Sequence, residues 1–139
     1  MRSVLIFLGL VLVLGACEPA FKGNPDRFKY GTFSIPAGEG YSETLIKRVD
    51  SLQIESYTKY VSVSTDSGVF EKKVKRIDTL YIKWKNNFFY TLRMKSPKTK
   101  LDKDPIFVQL TKVTDSSYNF SAKIGYSNFK QEGTAYKIN

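Results

Sequence analysis

Histidine is absent from the chain and cysteine occurs once, at Cys17. That excludes histidine-based triads, disulfides within the chain and zinc sites built from the usual nitrogen and sulfur ligands. Chemistry would have to run on carboxylates, lysine, tyrosine or serine. Asp102 and Asp104 are spaced so that both acids could face one metal or one water, but they sit in a lysine-rich stretch where solvated surface acids are the simpler expectation. Gly38-Glu39-Gly40 offers one acid in a flexible loop, and two glycines alone do not build a phosphate cradle. No local motif supports a serine–lysine dyad. The interleaved Tyr81-Ile82-Lys83-Trp84-Lys85 has the composition of a stacking platform for bases or sugars, yet core packing explains Trp84 more simply. The sequence therefore names no catalytic residue, no metal site and no cofactor, and points away from an enzyme.

Cys17 has a different use. Before it lie one positive charge, Arg2, and an apolar run from Val4 to Leu14, long enough for a signal-peptide core and too short to span a bilayer. Leu14-Gly15-Ala16-Cys17 resembles the lipobox of bacterial lipoproteins. The resemblance implies cleavage before Cys17, a diacylglycerol on its sulfur and a further fatty acyl chain, such as palmitate, on its new amino group. Two or three acyl chains hold a protein on a membrane durably where one does not. Glu18 is not the aspartate associated with inner-membrane retention, so the expected location is the outer membrane, facing the periplasm. Residues 1–16 then form the signal peptide and 17–27, with Pro19, Gly23 and Pro25, a tether. Stretched, ten such residues reach roughly 35 Å. Residues 28–139 are left as one domain.

The net charge of +9 favours anionic partners such as acidic glycans or lipid headgroups. The lysines are scattered rather than clustered, however, which also suits plain solubility and does not point to nucleic acid. A protein partner on the surface stays open.

From Phe28 onward apolar residues alternate with polar ones at the period of strands. Phe28 to Ile35 is stopped by Pro36, and Tyr41–Val49 and Leu52–Val63 flank a tight turn at Asp50-Ser51. A two-residue loop there pairs Val49 with Leu52 and Leu45 with Ser56. The apolar face is then Leu45, Val49, Leu52 and Ile54, with Lys47 intruding. Asp66-Ser67-Gly68 is a three-residue hairpin signal. Its flanks, Tyr57–Thr65 and Val69–Arg76, have no clean apolar face and read as an edge or a projecting basic arm carrying Lys59, Lys72, Lys73 and Lys75.

Leu80, Ile82 and Trp84 alternate strongly, as do Phe88, Tyr90, Leu92 and Met94. A three-residue loop, Lys85-Asn86-Asn87 with Asn87 left-handed, opposes Trp84 to Phe88 and Leu80 to Leu92 without mixing charge into the apolar face. This hairpin is the expected core. Ser96 to Pro105 is a polar connection with room for one helical turn. Ile106, Val108 and Leu110 share one face of the next strand, and Tyr118, Phe120, Ala122, Ile124 and Tyr126 share one face of the strand after it. A turn at Ser127-Asn128 would pair Ala122 with Gly133, Phe120 with Ala135 and Lys123 with Glu132.

About eight short antiparallel strands joined mainly by tight turns make an all-β meander. A lipocalin-like small barrel suits sequential hairpins better than the alternative, a β-sandwich. Ala122, Gly133 and Ala135 put small residues in an aromatic layer. Either Trp84 or Phe88 fills that space, or it is a pocket; Trp84, Tyr90, Tyr118, Phe120 and Tyr126 are the candidate ligand-binding residues.

Gly31-Thr32-Phe33, Val49-Asp50-Ser51-Leu52-Gln53-Ile54-Glu55, Tyr81-Ile82-Lys83-Trp84 and Lys130-Gln131-Glu132-Gly133-Thr134-Ala135, with the lipobox, make the chain similar to a group of short bacterial lipoproteins of unknown function. Members of that group have sometimes carried a DNA-topoisomerase label. A small exported domain without a nucleotide-binding glycine loop or a strand-cleaving tyrosine context argues against that activity here. The expectation is a lipid-anchored, non-enzymatic binding or interaction module, with a small envelope enzyme using carboxylates only as the alternative.

Overall fold

The structure, a computed structural model, describes residues 24–139. The expected signal peptide and lipobox, and residues 17–23 of the expected tether, lie outside the described residues. Eight antiparallel strands follow one another around a closed barrel in chain order: β1 (Gly31–Ile35), β2 (Thr44–Val49), β3 (Leu52–Thr65), β4 (Gly68–Asn86), β5 (Phe89–Met94), β6 (Ile106–Val113), β7 (Ser117–Ile124) and β8 (Lys130–Lys137). The lipocalin-like small barrel is the architecture observed. A short 3-10 turn, Leu101–Lys103, occupies the β5–β6 connection.

Alternation sends every second side chain inward. Phe33, Ile46, Leu80, Ile82, Tyr90, Leu92, Val108, Leu110, Tyr118 and Ala135 form the core with Phe28. Phe28 belongs to a 3-10 turn, Pro25–Phe28, begun by Asn24, whose side chain accepts from the Asp26 amide. Its ring meets Tyr118 edge-on at 5.2 Å. Arg27 donates to the Thr114 carbonyl at 2.7 Å. Residues 24–27, expected as tether, therefore fold onto the barrel and close one end of it.

One strand face and two registers differ from expectation. The β2–β3 pairing is the one the sequence predicts, Val49 with Leu52 and Leu45 with Ser56, but the face is inverted. Leu45 is 47% exposed, Val49 lies outside too, and Ile46, Arg48 and Gln53 point in. The row Leu45, Val49, Leu52 and Ile54 faces outward because Arg48 is buried against the usual rule, held by partners from distant strands. In the β4–β5 hairpin, Trp84 faces Tyr90 and Leu80 faces Met94, with a bulge between Trp84 and Asn86. Phe88 sits in the turn, where its amide donates to Asn86 Oδ1, and Asn87 is not left-handed. That side-chain bond and the bulge supply the turn without a strained backbone. In β7–β8, Ala122 faces Gln131, Phe120 faces Gly133 and Lys123 faces Lys130. The turn is a five-residue loop, so the register moves by two and the faces are kept.

β4 is 19 residues long, because the two runs Val69–Arg76 and Leu80–Trp84 are one strand. Its first half pairs with β3 as an arm whose base is flanked by residues 40–42 bonded to β3, with Lys59, Lys72, Lys73 and Lys75 exposed on it. Gly68 takes the positive φ expected of it, next to a turn at Asp66-Ser67.

Candidate functional site

The inner rows of β2 and β3 build the centre of the barrel. Because Arg48 pairs with Gln53 and Ile46 with Glu55, a cation, an amide and an acid fall on one inward face. Arg48 is only 1% exposed. Its Nε donates to Gln53 Oε1 at 2.8 Å, one terminal nitrogen to the Phe28 carbonyl at 2.7 Å, and the other to the hydroxyls of Tyr90 and Tyr118 at 3.0 and 2.7 Å. The guanidinium also lies over the Phe33 and Tyr90 rings, 4.6 and 4.8 Å from their centroids. Burial works against its charge, but the tyrosine oxygens favour it and the balance is upward. Arg48 stays a cation, and burial holds the Tyr90 hydroxyl protonated well above its ordinary value.

Gln53 passes this arrangement on. Its Nε2 donates to Glu55 Oε1 at 2.7 Å. Glu55 is enclosed by the barrel yet touched by solvent, because it faces a cavity of about 290 Å³ that opens at the end opposite Phe28. Burial raises the Glu55 carboxyl above its ordinary value, the Gln53 amide opposes the rise, and the Asp78 charge adds to it. Asp78 lies directly across from Glu55 on β4 and accepts from the Tyr57 hydroxyl at 3.2 Å. The rest of the wall is largely apolar, Ile35, Ile46, Leu92, Ile106, Val108, Phe120 and Ala122, with Thr44, Tyr57 and Tyr90 adding hydroxyls. At the mouth, Gln131 Nε2 donates to the Tyr41 hydroxyl at 3.2 Å. Gly38 lets that hydroxyl approach, since a Cβ there would stand 2.5 Å from it.

The residues expected to bind a ligand divide three ways. Tyr90 and Phe120 line the cavity with Ala122. Trp84 and Tyr118 belong to the closed end, Trp84 tilted against Tyr90 with ring centroids 4.6 Å apart and Tyr118 bonded to Arg48. Tyr126 is 95% exposed in the β7–β8 loop and lines nothing, because β7 ends at Ile124 before the alternation can carry it inward. The small residues also separate. Gly133 gives its space to the Phe120 ring, whose Cζ would be 2.8 Å from a Cβ there, while Ala122 leaves the cavity open.

Sequence reasoning missed Arg48, Gln53, Glu55, Tyr41 and Gln131. The signal was the intrusion of Lys47 on the face judged apolar: with the pairing already correct, the other face was the only alternative. Asp102, by contrast, accepts from the amides of Lys98 and Thr99 and holds its own loop, which draws its carboxyl below the ordinary value. Among the described residues no three metal-ligating side chains come together.

No protein-family model matches this chain, and no curated protein or solved structure is significantly similar to it.

Proposed function

We propose that this protein is a lipid-anchored, non-enzymatic binding module of the cell envelope that holds a small, largely apolar ligand inside its barrel. The observation that carries the proposal is the cavity, apolar-walled with a few convergent polar groups, as ligand sites are. Its volume is near the lower end for such sites, so the ligand is small. The Leu14–Cys17 motif supports the anchor. Asn24, the first described residue, lies at the plugged end.

A raised carboxyl in a cleft is also what a carboxylate enzyme would need, and Glu55 with Asp78 gives that second reading its one specific support. Binding is favoured because most of the polar wall is already committed: Gln53 at both ends, Tyr57 to Asp78, Tyr90 to Arg48 and Tyr118. Little is left to position or activate a reacting group.

The test is mass spectrometry of small molecules retained by the purified protein, compared with Ala122→Leu. A compound retained by the wild type and absent from the variant, with folding preserved, is the expected result. Equal retention would place the ligand elsewhere, and turnover of the compound would favour the enzyme. For the anchor, Cys17→Ser should release the protein from membranes or trap a precursor; unchanged fractionation and processing would end that part of the proposal.

A further inference from the structure

The cavity wall has one ionisable acid, Glu55, and neither lysine nor arginine, in a chain whose net charge is +9. Oε1 of Glu55 is taken by Gln53, and that is the only hydrogen bond its carboxyl makes among the described residues. Oε2 is left as an acceptor. It is reached from the open cavity, and the largely apolar surroundings strengthen any charge-assisted hydrogen bond made to it there.

The surrounding charges reinforce this polarity. From β4, Asp78 faces Glu55 across the strand pair. From β2, the Arg48 charge acts on Glu55, but all three of its nitrogens are engaged at the closed end and Gln53 bonds to both residues between them. The other titratable side chains on the cavity are Tyr41, Tyr57 and Tyr90, whose hydroxyl oxygens can accept from a donor. An anion entering here would meet a carboxylate and no counter-charge.

Building on the cavity as the binding site, we propose that its ligand is a small organic amine, with its cationic nitrogen on Glu55 Oε2 and its apolar body against the walls from β5 to β7. A primary ammonium brings three donors. One satisfies Oε2, and the others can reach neighbouring tyrosine oxygens or water.

Three probes of matched shape test this on the full chain in detergent: 2-phenylethylamine, 2-phenylethanol and phenylacetate. Trp84 is the only tryptophan and its ring touches that of Tyr90, a cavity residue, so its fluorescence reports occupancy, with calorimetry as the second readout. The amine should bind at least tenfold more tightly than the alcohol, and phenylacetate least. Glu55→Gln keeps an acceptor for Gln53 and so keeps the fold; it should bring the amine down to the level of the alcohol. Alcohol binding equal to that of the amine, or amine binding that survives Glu55→Gln, would overturn the amine and leave the cavity reading standing. If none of the three binds the wild type, both fall. Should Glu55→Gln not fold, the order of the three probes on the wild type decides alone.

Discussion

Arg48 is the residue on which the closed end depends. Four acceptors from β3, β5, β7 and the N-terminal turn converge on one guanidinium, so removing it strands several buried polar groups at once. Each such loss costs about 1–3 kcal/mol, and the costs do not simply add. Arg48→Met should therefore destabilise the protein by at least about 3 kcal/mol in chemical denaturation. Arg48→Lys should rescue little, because a single ammonium cannot reproduce the fork. Glu55 gives a prediction of opposite character. Its carboxyl is raised in the folded state, so the folded protein binds its proton more tightly than the unfolded chain does. The stability it contributes is complete below the ordinary glutamate value of 4.5 and is lost as pH rises through the higher folded value. Glu55→Gln should lack that loss, so the variant should gain on the wild type as pH goes from 4 towards 7 in parallel melts. A constant difference across that range would show that Glu55 does not titrate abnormally.

At the level of strands, alternation and turn chemistry made the meander legible, including the β2–β3 pairing to the residue. They left open what lies between strands far apart in the chain. Whether Ile46 and Arg48 or Leu45 and Lys47 face inward is decided by partners as distant as Phe28 and Tyr118, and local pattern holds no trace of those. The cavity was half legible for the same reason. Ala122, Tyr90 and Phe120 could be found by face, but Glu55 and Gln53 entered with the inverted strand pair. One small residue on β8 now has a defined task. Gly133 makes room for the Phe120 ring, and the open space beside that ring is the cavity. Gly133→Ala should push the ring into the cavity, cost about 1 kcal/mol by overpacking, and weaken amine-probe binding more than it lowers the melting temperature. Loss of stability with unchanged binding would mean that the ring does not move that way.

The molecule as a whole is closed at one seam. β1 and β8 pair at only Phe33 with Lys137 and Ser34 with Tyr136. Beyond these, the Thr32 amide donates to the Asn139 carbonyl at 2.9 Å and the Ile138 amide to the Thr32 carbonyl at 2.8 Å. Gly31 permits this approach: its φ is +110°, and a Cβ would stand 2.4 Å from the Asn139 oxygen. Gly31→Ala should cost about 1–3 kcal/mol through the strained φ. Hydrogen exchange should localise the loosening to β1 and β8, leaving the β3–β4 amides near the barrel unchanged.

That seam also sets an order of assembly. Seven of the eight strand pairings join neighbours in the chain, whereas this one closes a loop of about 100 residues, and it gains few bonds for the entropy it spends. Local hairpins therefore form first and ring closure comes last. Until it comes, the chain is an open curved sheet with two unsatisfied edges, β1 and β8, complementary to each other in register and just as complementary to the same edges on a second copy. Refolding at high concentration should then divert chains into strand-exchanged oligomers whose subunits are each correctly paired from β1 to β8.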